Sequence, residues 1–223
     1  MRSAAAAVIA LTIALAACGR GPTTPPARGN DATPTPRANE TEAVDVVRSG
    51  FAIHGEQIGV GAIVRVRAGK ARRHIDLDIA YYANGRRLGS EEDTLAFCPA
   101  RTECPWGQTF AGETLVPQWR SIDDVRVSVR DGGQADGDVD IEELTTTVED
   151  DSIVVRPAGV EGTAYVLVFD GKTPRFGLSF FTPDEDRRAL RYPRRSFPPA
   201  PDDAFRAFFY PGPVPGSVYG PVD

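Results

Sequence analysis

Few residues in this chain combine side-chain type and spacing in a way that points to chemistry. They are three cysteines, Cys18, Cys98 and Cys104, two histidines, and a run of alternating carboxylates at Asp136, Asp138 and Asp140. Cys98 and Cys104 bracket Pro-Ala-Arg-Thr-Glu. In an oxidising compartment a pair this close closes a small loop as a disulfide. A zinc site is the alternative, but zinc wants about four ligands, and neither His54 nor His74 has ligand spacing to the pair. A thioredoxin-like site would need Cys-x-x-Cys, and the spacing here is wider.

The alternating carboxylates resemble the first three ligands of an EF-hand loop. Calcium takes about 6–8 oxygen ligands. The pattern then fails, because Ile141 stands where the turn needs glycine and Thr147 where the bidentate glutamate belongs. Glu142 or Glu143 would have to complete a looser calcium site at Asp136, Asp138 and Asp140. The competing reading is a hydrated acidic linker.

No hydrolase signature is present. A Ser-His-Asp site would need His54 or His74 beside an activated serine. The chain has no Gly-x-Ser-x-Gly elbow, Ser-x-x-Lys, His-Glu-x-x-His or phosphate-binding glycine loop. Carboxylate pairs for glycoside hydrolysis, about 5–10 Å apart, leave no trace in sequence, so that alternative stays open. The expectation is a protein that is not an enzyme and carries no cofactor.

Cys18 ends Leu15-Ala16-Ala17-Cys18, after a basic start and an apolar run from Ala4 to Leu15. A basic start, an apolar stretch of roughly a dozen residues and small residues before a cut site make a signal peptide. The run is shorter than the roughly 20 residues needed to span a bilayer. The four residues resemble the lipobox of bacterial lipoprotein precursors. The resemblance implies lipidation of Cys18, cleavage before it and, with Gly19 following, outer-membrane sorting where two membranes exist. Two or more acyl chains anchor a protein stably.

The elements that position these residues read as strands. Hydrophobic content of 41% and charged content of 25% are those of a globular protein. Val, Ile, Thr, Phe and Tyr recur in short runs between Gly, Pro, Asn and Asp, an all-β texture. Residues 62–67 and 74–79 alternate, and matching their apolar faces sets Val66 opposite Ile75, Val64 opposite Leu77 and Arg65 opposite Asp76. Asn84-Gly85 is a hairpin turn, and Val125 to Val129 alternates again. Ala164 to Lys172 repeats the pattern of Ala62 to Lys70, and Phe176, Leu178 and Phe180 that of Ile75, Leu77 and Ile79. Phe205 to Tyr210 reads as a last edge strand, or as an aromatic tail that docks on a partner. The cations Arg65, Arg67, Lys70, Arg72, Arg73, Arg86 and Arg87 form either a solvated face or a surface for anionic polymers.

Ile79-Ala80-Tyr81-Tyr82-Ala83-Asn84-Gly85, with Pro105-Trp106-Gly107 further on, resembles the small immunoglobulin-like modules of the FxLYD family. That resemblance implies a β-sandwich and no particular activity. The expected organisation is a signal peptide (1–17) and a lipidated cysteine with a flexible Pro/Thr/Ala-rich tether (18–42). Two tandem β-sandwich modules (43–130 and 152–223) follow, joined by an acidic connector (131–151). A formal charge of −6 makes nucleic acid an unlikely partner. The function expected is a lipid-anchored envelope scaffold or binding module whose partners are the membrane, through its lipid, and another envelope protein. The alternatives are a calcium or small-ligand binder and an envelope hydrolase.

Overall fold

The computed structural model describes residues 43–67, 69–135, 140–156, 161–182 and 189–211. The expected signal peptide, Cys18, the tether, Asp136 and Asp138 lie outside the described residues. Alternating and β-branched runs become strands throughout. In the first half these are β1 (Val44–His54), β2 (Gln57–Val66), β3 (Arg72–Ala83), β4 (Arg86–Cys98), β5 (Glu103–Ala111) and β6 (Asp124–Arg130). The second half supplies β7 (Glu142–Leu144), β8 (Thr146–Glu149), β9 (Ser152–Val155), β10 (Gly162–Asp170), β11 (Thr173–Thr182), β12 (Leu190–Pro193) and β13 (Phe205–Pro211). One four-residue helix, α1 (Gly112–Leu115), follows β5. The fold is all-β, as the composition implies.

Four antiparallel sheets result, ordered β1-β2-β5, β4-β3-β6, β11-β10-β13-β7 and β12-β9-β8. Asn84 and Gly85 both have positive φ, 50° and 74°, and make the two-residue β3–β4 turn. The register expected between 62–67 and 74–79 does not form. β2 pairs with β1 and β5, while β3 pairs with β4 and β6. The apolar faces do meet, but across two sheets. Ile58, Val60, Ala62, Val64 and Val66 share one core with Ile75, Leu77, Ile79 and Tyr81. Matching faces cannot distinguish side-by-side strands from stacked ones, because both bury the same residues. Arg65 accordingly pairs with Asp45 on β1 at 3.1 Å, not with Asp76.

In the second half the equivalent hairpin forms within one sheet, with Val168 opposite Phe176 and Val166 opposite Leu178. Those residues build a second core with Ile153, Val155, Phe197, Phe205 and Phe209. The two halves are therefore connected differently. β13 is not an edge strand, since it lies between β10 and β7, and Phe205, Phe208, Phe209 and Tyr210 are buried. The docking-tail reading of these aromatics does not hold.

A row of glycines joins the halves. Gly50, Gly61 and Gly107 are cross-strand neighbours on β1, β2 and β5. β11 lies across this row. A Cβ on Gly61 would sit 2.7 Å from Pro174 Cβ, and one on Gly107 2.8 Å from Gly177 Cα. Any side chain here would push the two sheets apart. Leu167, Tyr165, Phe169, Phe208 and Tyr210 extend the first core from the second half. The described residues belong to one compact unit.

The described part of the segment expected to be a solvated connector keeps most of its carboxylates exposed but is tied to the fold by short strands and a bridge. Asp131 lies 2.9 Å from the guanidinium of buried Arg72, without good hydrogen-bond alignment. Gln134 bridges to Arg72, and the Ala135 N–H donates to Ala71 O. Glu142–Leu144 pair with β13, and Thr146–Glu149 with β9. Three of the block's acids, Asp131, Glu143 and Glu149, meet cations from elsewhere in the chain, Arg72, Arg206 and Arg191.

Candidate functional site: a groove beside an open strand edge

The first sheet, β1-β2-β5, has two edges, and they are finished differently. At the β5 edge, Cys98 and Cys104 form a disulfide with Cα atoms 5.9 Å apart, tying β4 to β5. Pro105 has no N–H to offer a visiting strand. Its carbonyl accepts the Tyr210 hydroxyl. The Thr109 hydroxyl donates to Gly177 O, and Gln108 Oε1 accepts from the Ser179 hydroxyl at 3.0 Å. Cys104, Pro105, Trp106 and Gly107 are all buried.

The neighbouring strand β4 carries Glu91 and Asp93, opposite Ile79 and Leu77. Inward-pointing charges blunt an edge strand against further pairing. Burial pushes the Asp93 carboxyl up, against the bond it accepts from the Thr94 N–H at 2.7 Å and the pull of Trp106 and Gln108. Among the described residues, Trp106 Nε1, though close to Asp93, lacks a well-aligned acceptor, and the Tyr81 hydroxyl has no hydrogen-bond partner. Burial, and secondarily Glu91, raises the Tyr81 hydroxyl pKa.

The β1 edge is open. β1 has no ladder partner on its outer side among the described residues. Beside it runs a groove of about 870 Å³. One wall is Phe51, Ala52 and Ile53, and Phe169 and the segment Pro198–Pro201 line it too. Ile53 is the exposed large hydrophobic among the described residues, at 36%. A second, smaller cleft continues the opening along Ser49, Gly50 and Phe51 towards Asp124 and Val125.

The walls are fixed by charged side chains that use up their own charge. Arg194 bonds Asp202 Oδ1 and Ala200 O, and its guanidinium lies 5.6 Å from the Phe205 ring, so the proline segment is clamped. His54 Nε2 contacts Arg195 O at 2.6 Å and ties the end of β1 to the turn Arg194–Ser196 that precedes the proline segment. Arg206 grips Glu143 through two bonds of 2.7 Å and stacks over Phe169 and Phe208. That pairing holds the Glu143 carboxyl below the ordinary range. Arg175 pairs with Asp170 at 3.2 Å. Asp123 accepts only the Asn84 N–H, and Asp203 has no cationic partner among the described residues.

The groove lining holds carboxylates but no serine, cysteine, histidine or lysine among the described residues. His74 lies on β3 between paired Arg73 and Ile75, with φ 50°. His54, expected in a glycine-rich loop, is the last residue of β1, edge-on to Phe176. Asp140 is exposed, Glu143 is committed to Arg206, and no cluster able to hold a metal occurs among the described residues. The expected cationic face is mostly paired: Arg65 and Arg67 share Asp45, whose carboxyl is lowered chiefly by Arg67.

The sequence reading did not find Ile53, Asp123 or Asp203. The groove assembles residues more than a hundred positions apart, and its only local signal is Pro198-Pro199-Ala200-Pro201. No helix among the described residues is long and apolar enough to cross a membrane. No protein family, curated protein or solved structure matches this chain.

Proposed function

We propose that this protein is a lipid-anchored component of the bacterial cell envelope that acts without catalysis, by binding another envelope component in the groove beside β1. The open groove next to the free outer edge of β1 carries this reading. A preformed cleft that combines apolar surface with charged groups suits recognition, and an exposed apolar side chain within it suits a contact surface. The lipobox resemblance at Leu15-Ala16-Ala17-Cys18 supplies the anchor and the location, on the periplasmic side of the outer membrane where there are two membranes. The immunoglobulin-like resemblance adds a sandwich scaffold and no activity.

A photo-crosslinking residue placed at Ile53, compared with one at exposed Ala111 on β5, tests the binding role in intact cells. Discrete adducts from position 53 and none from 111 are expected. Adducts of equal pattern and yield from both positions, or none from either, would contradict it. Cys18→Ser tests the anchor: the variant should remain an uncut precursor and leave the detergent phase. Normal processing and membrane fractionation of that variant would remove the lipid from the proposal.

A further inference from the structure

Resting on the reading above, we propose that the occupant of the groove is an extended, basic segment of a partner protein that adds as a strand to the free edge of β1.

Three observations converge on that chemistry. The first is the backbone. Among the described residues β1 is paired on one side only, so the amides and carbonyls of alternate residues along Ser49–Ile53 are left without a ladder partner, and these residues line the opening. Five residues of strand span about 17 Å, enough for a short peptide to lie alongside. Strand addition draws affinity from main-chain bonds and selectivity from pockets for alternate side chains.

The second is the floor. Phe51, Ile53, Phe169, Pro198, Pro199 and Pro201 offer apolar surface to every second side chain of an added strand. Prolines and the Arg194 clamp hold this surface in place before anything binds. Little ordering is then left to oppose association.

The third is charge. Of the charged groups lining the groove, Asp170 is neutralised by Arg175 and Arg206 by Glu143. Asp123 and Asp203 remain without a cation among the described residues. The rim is therefore net acidic over an apolar floor. A strand alternating apolar residues with lysine or arginine satisfies both. A second copy of this chain fits worse. In a two-fold contact, β1 against β1, the same acidic rim would face itself.

The test uses the full chain purified in detergent and fluorescent heptapeptides. The probes are Lys-Val-Lys-Val-Lys-Val-Lys, its glutamate analogue, and a lysine form N-methylated at alternate residues. The lysine peptide should bind at least tenfold more tightly than the glutamate peptide. N-methylation should weaken it about tenfold, since it removes main-chain donors along one edge. Asp123→Asn with Asp203→Asn should bring the lysine and glutamate affinities within about threefold. Asparagine keeps an acceptor for the Asn84 N–H, and an unchanged Tm shows that this variant folds.

Hydrogen exchange should show residues 49–54 slowed only by the lysine peptide. Equal binding of both charges, no binding, or binding without that slowing would overturn the inference. So would slowing that appears with protein concentration alone, which would make the occupant a second copy. If Ile53 adducts persist in cells while the lysine peptide does not bind, this inference falls and the binding role stands. Loss of both removes both.

Discussion

The two edges of the β1-β2-β5 sheet share a sheet and a core, yet one is closed and the other open. Along β5, which also has β2 as its ladder partner, a disulfide, a proline, a tyrosine hydroxyl bonded to Pro105 O and side-chain bonds to β11 obstruct the edge. Along β1, apolar side chains and an acidic rim lie beside an edge that no strand hydrogen-bonds among the described residues, although β6 packs close to it. A free edge is an aggregation hazard that proteins usually blunt. Here the blunting devices are spent on one side, and the other side keeps a shaped, rigid groove. The difference argues that the β1 edge is kept open for use.

Substitutions at the closed edge should cost most. Gly107→Val should destabilise the chain by about 3 kcal/mol or prevent folding, because even a Cβ there meets Leu167 and Gly177. Urea unfolding measures this, and a loss under 1 kcal/mol would mean that the glycine row does not set the spacing of the sheets. Replacing Cys98 and Cys104 with serine should cost about 2 kcal/mol, the modest value for so short a loop. Tyr210→Phe should cost about 1 kcal/mol by leaving the Pro105 carbonyl without its donor. At the open edge, Ile53→Ser should change stability by less than about 0.5 kcal/mol. If Ile53→Ser costs as much as Tyr210→Phe, the contrast between the edges is lost.

Acid and base titration sharpen the same comparison. Asp93 has its folded-state pKa raised, so folding favours its protonated form. Its unfavourable contribution is absent below the ordinary aspartate range, near pH 4, and grows as pH rises through the folded pKa. Asp93→Asn should therefore stabilise the chain at neutral pH and leave it unchanged near pH 3. Asp45, on β1, has the opposite sign. Its stabilisation is present above the ordinary range and is lost as pH falls through its lowered pKa. Asp45→Asn should destabilise at neutral pH and converge on wild type in acid. Tm measured against pH for both variants checks the signs.

Much of the fold was legible in the sequence because it rests on local rules. Alternation marked the strands, Asn84-Gly85 the turn, and the spacing of Cys98 and Cys104 the disulfide. What failed was long-range. Val64 and Leu77 belong to one core, but periodicity does not say whether they meet side by side or face to face. Phe205 to Tyr210 read as a terminal edge, yet the three residues Glu142–Leu144 add outside it. The acidic run is exposed at most of its described carboxylates, but its strand pairing and the cations of three of its acids, Arg72, Arg191 and Arg206, come from distant segments. The groove was invisible for the same reason: Ile53, Asp123 and Asp203 share no segment and no spacing.

Hydrogen exchange on the free protein tests the account most directly. Every second amide between Ser49 and His54 should exchange at least a hundredfold faster than the ladder amides between Trp106 and Phe110. Equal, strong protection of both stretches would mean that the β1 edge is already covered, and with it the proposed binding site would go.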